Sequence, residues 1–468
     1  MLKKSKILGV VITDGVGFRN FVLTDFLLYA SQNFKKVIVY SGLPISVFHD
    51  IQFENITIVE LEVFTEKKVT WFFRKWKELA HLQLFKDFYG MKNNLENSRP
   101  KTNSPSNLLV KFILFATNFV HSNGSILFVE KLQFLSFSTN KIFKSYKKLL
   151  NKNQPDLVFF THQRPPYLAP FLSACINLKI ETCSFIFSWD NLSSKGRMLG
   201  AFDSFLVWSD LMKSELLHFY PNVNPENVQI VGTPQFEPYV LKRFETSKEI
   251  FLSKYDLDSD KKIICYSCAE ISIGQNDALV IATIARAIID KRISENTELL
   301  VRSSPAEEDR FYDLRKQFPN IKWNVPNWIL TRNDHFATWS QRIPTIQDIK
   351  DLRAILAYSD LNINMCSTMS LDFMIFDKPV IYTVFGNAEN GLFDDQKFLN
   401  YDHLKTVVDS NSVQIAKNER QLIEQINSIF LNSQQRTLER KDMIDLQISE
   451  PLHGTSERIV KVLLDFAL

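Results

Sequence analysis

Three short clusters stand out because an apolar run stops and polar or ionisable residues follow at once. The first is Thr13-Asp14-Gly15-Val16-Gly17-Phe18-Arg19-Asn20 and the second Thr161-His162-Gln163-Arg164-Pro165-Pro166. The third is Ser188-Trp189-Asp190-Asn191, trailed by Ser193, Ser194, Lys195 and Gly196. Asp14 and His162 are rival candidates for a general base, the group that takes the proton of a hydroxyl as it attacks. Asp190 joins them as a catalytic candidate and, with Asn191, can bond the hydroxyls of a ligand. Trp189 offers a face on which a sugar ring stacks. Arg164 suits a phosphate or an acidic sugar, and Arg19 lies on the helix that the first cluster opens. The plain alternatives are an Asx-type cap for Asp14 and a core position for Trp189.

A fourth passage, Asp360–Ile381 (DLNINMCSTMSLDFMIFDKPVI), reads as strand, small polar turn, helix and a Lys-Pro entry to the next strand. Ser367 and Thr368 fall where the strand hands over to the helix, a place suited to a diphosphate because backbone N–H groups and the helix dipole point there. Asp372, four residues beyond Thr368, shares its helix face about 6 Å further along, the span from a pyrophosphate to a ribose diol. The competing reading is a helix cap and a dipole complement. Two neighbouring strand ends add candidates: Arg302, Ser303 and Ser304 in Glu298–Pro305, and Glu270 with Gly274 in Cys268–Gly274.

The Asp360–Ile381 passage resembles the donor-binding signature of the CDP-glycerol glycerophosphotransferases, the non-hydrolysing UDP-GlcNAc 2-epimerases and related GT-B enzymes. Ser367, Thr368, Asp372, Lys378 and Pro379 occupy the matching places, with Ser and Thr for the usual glycines and Asp for the usual Glu. The Ser-Trp-Asp-Asn segment, Ile230–Pro234 and Gly454–Ile459 are similar to bacterial surface-polysaccharide transferases. The resemblance implies a metal-independent, inverting glycosyltransferase. It would move a sugar from a nucleotide-sugar co-substrate, with no other cofactor, to a lipid-linked or oligosaccharide acceptor in O-antigen- or capsule-like synthesis. Its alternatives are a CDP-glycerol-type polyol-phosphate transferase, an epimerase and a non-catalytic glycan-binding scaffold. Residues 270, 274, 302, 304, 367, 368 and 372 would hold the donor nucleotide; Arg19, Arg164, Trp189 and Asn191 would hold the acceptor.

These clusters need strand ends to carry them. Short apolar runs alternate with helical patterns, which predicts an α/β fold of two Rossmann-like, doubly wound domains facing a cleft, the GT-B arrangement. The expected divisions are residues 1–240 and 241–445, followed by a helix, 446–468, that packs back toward the first domain. Within the first, residues 64–150 break the rhythm and read as a helical insertion, with Asn93–Asn107 as a loop.

The chain's 468 residues carry 55 Lys and Arg against 52 Asp and Glu, so bulk charge does not point to nucleic acid. No carboxylate cluster has the spacing of metal ligands. Five scattered cysteines read as reduced thiols in a cytoplasmic protein, and the short apolar run after the basic start reads as a first strand rather than a leader. Val69–Gly90 mixes Trp71, Phe72, Phe73 and Trp76 with Arg74, Lys75 and Lys77, and Lys141–Lys152 adds five lysines. That mixture suits a helix at an anionic membrane surface, and predicts a peripheral position at the inner face of the cell membrane.

Overall fold

The computed structural model describes residues 5–271, 273–293, 296–305, 310–335, 337–386 and 395–467. The chain forms two compact units, residues 1–237 with 330–343 and 447–468, and residues 238–329 with 344–446.

The first unit is built on a seven-stranded parallel sheet with the order β3-β2-β1-β4-β5-β6-β7. Its strands are β1 (Ile7–Ile12), β2 (Lys36–Ser41), β3 (Ile56–Glu60), β4 (Leu157–Phe160), β5 (Glu181–Phe185), β6 (Ser204–Val207) and β7 (Val228–Ile230). β1, β2, β4 and β6 are buried almost end to end, as a sheet covered on both faces requires. Phenylalanine fills that core: Phe21 meets Phe26, Phe159 and Phe185 edge-on at 5.2–5.7 Å between ring centres.

Five helices separate β3 from β4: Lys68–Leu84, Tyr89–Asn97, Pro105–Thr117, Asn123–Leu135 and Lys141–Asn153. The stretch expected as a loop, Asn93–Asn107, is a loop over residues 98–104 and helical at both ends. Ser104 explains the early start of the third helix, because its Oγ accepts from the N–H of Asn107 and Pro105 takes the first turn. The helix expected at a membrane surface, Lys68–Leu84, is instead the centre of this bundle. Arg74 is held by Glu66 and Glu78 at 2.8 Å, and Thr70, Lys77, Leu79, Ala80 and His81 are buried.

The Gly454 and Ile230–Pro234 motifs interlock. Arg458 donates to the carbonyls of Val231 (3.2 Å) and Pro451 (2.6 Å), while Gly232 and Gly454 both take φ +74°. The buried Glu237 carboxylate accepts from the backbone N–H (3.0 Å) and hydroxyl of Ser456, capping the helix Thr455–Phe466.

The second unit has a six-stranded parallel sheet with the order β10-β9-β8-β13-β14-β15. The strands are β8 (Lys262–Ser267), β9 (Thr297–Arg302), β10 (Lys322–Asn324), β13 (Leu361–Asn364), β14 (Val380–Thr383) and β15 (Gln414–Ala416). Its core joins Ile264, Leu299 and Ile363 to Ile281, Ile284 and Ile426 of the flanking helices. A two-stranded ribbon, β11 (Trp328–Leu330) and β12 (Arg342–Pro344), carries the chain out to residues 330–343 and back. Among the described residues, no helix is long and apolar enough to cross a membrane.

Candidate active site

Because β1, β4 and β5 are parallel neighbours, the residues that follow them emerge at one edge of the first sheet. Asp14 follows β1 and does two things at once. Its Oδ1 accepts from the N–H of Gly17 at 2.7 Å and caps the helix Gly15–Phe21. Its Oδ2 lies 3.2 Å from Nδ1 of His162, the second residue after β4. The capping role and the catalytic candidacy are thus carried by different oxygens of one carboxylate.

His162 stacks on Phe187, with ring centres 3.9 Å apart and planes 11° from parallel. Burial pulls its pKa below the ordinary histidine value, and the Asp14 carboxylate pulls the other way. A neutral ring next to an anionic oxygen places its proton on Nδ1, donated to Asp14. Nε2 is buried, carries the ring's lone pair and has no hydrogen-bond partner among the described residues. Asp14 and His162, rivals in the sequence, form one hydrogen-bonded pair.

Gly15 keeps this corner closed. A Cβ there would lie 1.6 Å from the carbonyl oxygen of Arg342, so Arg342 and Ile343 cross directly over the turn. The segment 330–343 is fixed by Arg332 to Glu60 (3.2 Å) and by His335 against Tyr167, whose hydroxyl donates to the Thr13 carbonyl at 3.2 Å.

Gln163 organises the third cluster and was not among the sequence candidates. Its Oε1 accepts from the N–H of Phe187 (3.1 Å) and its Nε2 donates to Asn191 Oδ1 (3.1 Å). Asn191 in turn donates to Asp190, which also pairs with Lys195 at 3.4 Å. Ser194 is taken up by the insertion, its carbonyl accepting from Asn94 at 2.9 Å. The signal for Gln163 was its place between His162 and Arg164, but a buried bridging amide has no local pattern.

Arg164 is largely withdrawn from solvent. Burial lowers its pKa, the Asp190 carboxylate opposes that, and its Nε has no hydrogen-bond partner among the described residues. Arg19 turns to Asn20, Nε to Oδ1 at 3.0 Å. Trp189 corrects the sequence reading: at 4% exposure it is a core side chain and presents no open face to a sugar ring.

In the second unit, β8, β9 and β13 also end side by side, bringing together the ends that carry Glu270, Gly274, Ser304, Ser367 and Thr368. The turn after β13 is stiffened by a buried amide ladder. Asn362 donates to Ser267 Oγ (2.9 Å), Asn364 donates to Asn362 (2.6 Å), and Asn364 accepts from the N–H of Ser367 (2.8 Å). Cys366 takes φ +51° to make the turn. The helix that follows, Met369–Ile375, is short, and its first N–H groups are engaged locally. Those of Met369, Ser370 and Leu371 bond Ser367 Oγ, the Ser367 carbonyl and the Thr368 carbonyl.

Two donor-side readings are corrected. Arg302 is a buried structural cation: Nη2 lies 3.1 Å from Asp348 and Nη1 bonds Asn324. Asp372, 4% exposed, accepts the hydroxyl of Tyr239, so it braces the turn rather than presenting an open carboxylate. Glu270 is exposed, and its carbonyl accepts from Ile273 and Gly274 at 2.8 Å. The loop holding it is centred on a residue the sequence did not flag. The fully buried Asp277 accepts from Tyr266 (2.7 Å) and the N–H of Ala269 (3.1 Å), and pairs with Arg310 (3.2 Å). Ser272, between Glu270 and Gly274, lies outside the described residues. No group of three or more His, Cys, Asp or Glu is placed to hold a metal among the described residues.

Two doubly wound α/β units with polar strand ends define the GT-B fold, the architecture shared by UDP-GlcNAc 2-epimerases and GT-B glycosyltransferases. The chain is similar to the Staphylococcus aureus MnaA–UDP co-structure (12% identity, TM-score 0.54, 99% of this chain and 98% of that one). It is likewise similar to the UDP-GlcNAc 2-epimerase of Methanocaldococcus jannaschii (10%, TM-score 0.53, 98% and 99%). A glycosyltransferase from Rickettsia africae matches at 12% identity, TM-score 0.51 and 99% of each chain. No protein-family model and no curated protein sequence matches the chain.

Proposed function

We propose that the chain is a glycosyltransferase that moves a sugar from a nucleotide sugar to a hydroxyl of a lipid-linked or oligosaccharide acceptor. The reading includes cell-surface polysaccharide synthesis of the O-antigen or capsule kind, and a cytoplasmic protein held peripherally at the membrane's inner face. The observation that carries it is the pair of Asp14 and His162, with Nδ1 turned to the carboxylate and the buried Nε2 left without a hydrogen-bond partner among the described residues. In the proposed step the acceptor oxygen attacks the anomeric carbon while its proton passes to Nε2. The bond from that carbon to the diphosphate breaks, its electron pair leaves with the nucleotide, and the configuration inverts. Asp14 stabilises the imidazolium that forms. Arg164 is assigned an anionic group of the acceptor and Asp190 its hydroxyls, with the buried Asn191 holding Asp190 in place.

The donor is assigned to the strand ends that carry Glu270, Gly274, Ser304, Ser367 and Thr368. The reaction is taken to need no metal and no cofactor beyond the nucleotide sugar. A thermal-shift panel of UDP, GDP, CDP, CMP and dTDP with their sugars tests the donor. Turnover with an acceptor extract, with and without EDTA, tests transfer. Absence of any nucleotide effect would sink the proposal.

A second reading is favoured by the fold shared with solved 2-epimerases. A nucleotide-sugar epimerase would make product with no acceptor present, and NMR of the sugar nucleotide after incubation with the protein alone decides between the two.

A further inference from the structure

We propose that the outer face of the helix Pro105–Thr117, with the turn after it, docks on an anionic lipid bilayer. The proposal deepens the peripheral placement above and rests on it for its biological sense. It owes nothing to the transfer chemistry.

The helix is apolar on two sides. Val110, Ile113 and Thr117 face inward and are buried. Leu108, Phe112, Phe115 and Phe119, at helical spacing on the other side, are 53%, 54%, 65% and 75% exposed, and Val120 continues them. A surface helix of a globular protein carries polar residues on its outer face, so this stripe calls for a partner. Phe115 and Phe119 meet edge-on at 5.5 Å, and Phe112 lies 6.4 Å from the ring of Trp76. On the next helix, Asn123–Leu135, Phe128 and Leu135 are also open to solvent.

Charge selects the occupant. Residues 97–155 contain nine Lys and Arg and one acidic residue, while the whole chain nets only +3. The one acid, Glu130, is buried against Lys77 and Arg197. Lys101, Lys111 and Lys131 are exposed, as are four of the five lysines of Lys141–Asn153. Aromatic side chains that enter the headgroup boundary, with the exposed Lys101, Lys111 and Lys131 on or beside the same helices, fit a bilayer with anionic headgroups. A second copy would bring the same positive charge to the contact and repel it.

The test is co-sedimentation of the full chain, without donor or acceptor, on vesicles of phosphatidylcholine alone or with about a third phosphatidylglycerol. Binding should require the anionic lipid and weaken with salt. Phe112→Ser with Phe115→Ser and Phe119→Ser should reduce it about tenfold or more, with the melting temperature kept because the rings are exposed. Lys101→Glu with Lys111→Glu should also weaken binding and flatten its salt dependence. Equal binding to both vesicles, no binding, or an unaffected triple-Ser protein overturns the proposal. So does light scattering that shows a dimer which those serines dissociate. Transfer is assayed separately on a soluble acceptor, so a failure of one reading leaves the other standing.

Discussion

Oδ2 of Asp14 and Nδ1 of His162 lie 3.2 Å apart although 148 residues separate them in the chain. The contact sets the tautomer of the imidazole, and the stacked Phe187 ring sets its plane. His162→Ala should therefore cut kcat about 10²–10⁴-fold with donor KM little changed. Asp14→Asn keeps an acceptor for the Gly17 cap but turns an amide toward Nδ1, moving the ring proton to Nε2, and a loss of similar size is expected. Burial holds the His162 pKa below the ordinary value and Asp14 raises it. Activity should thus fall only on the acid side, and the residual activity of Asp14→Asn should lose its acid limb at lower pH. Steady-state rates across pH check this, and an unchanged limb would refute the pairing.

Gly15 should tolerate no side chain. A methyl group there meets the Arg342 carbonyl at 1.6 Å, so Gly15→Ala must push residues 330–343 off the turn. The expected result is a lower melting temperature together with loss of activity. Limited proteolysis should find new cleavage within residues 330–343.

Glu130 anchors the helical insertion. It lies 3.3 Å from Lys77 Nζ and 3.5 Å from Arg197 Nε, with all three side chains under a tenth exposed. Burial pulls the Lys77 pKa down and Glu130 opposes it. Glu130→Gln leaves two cations buried without their carboxylate and should destabilise by about 3–5 kcal/mol in urea titrations. Pairing it with Lys77→Met should recover part of that loss.

Acid should unfold the chain through its histidines. His81 is buried against Tyr220 with neither ring nitrogen hydrogen-bonded among the described residues, and burial holds its pKa well below 6.5. The His162 pKa is lowered too. A folded pKa below the unfolded value means that stability is full above about pH 6.5 and declines as pH falls, because the unfolded chain binds the proton. The slope approaches about 1.4 kcal/mol per pH unit for each group. His81→Phe should flatten the decline in melts run from neutral pH downward; an unchanged slope would assign it elsewhere.

Alternating apolar runs and helical patterns are local properties, so the two doubly wound sheets and most of their strands are legible in the residues alone. Three polar clusters at strand ends are legible for the same reason, since a buried run must hand over to polar residues where it reaches solvent. Which members of those clusters meet is not a local property. Packing alone brings Asp14 to His162, pairs Arg302 with Asp348 and gives Asp372 to Tyr239. It buries Trp189 and one face of the basic, aromatic helix Lys68–Leu84, whose composition reads as surface, and leaves the plainer helix Pro105–Thr117 with its phenylalanines outside. Spacing along a strand or helix states which residues share a face, while the choice of face belongs to the elements that cover it, which lie elsewhere in the chain.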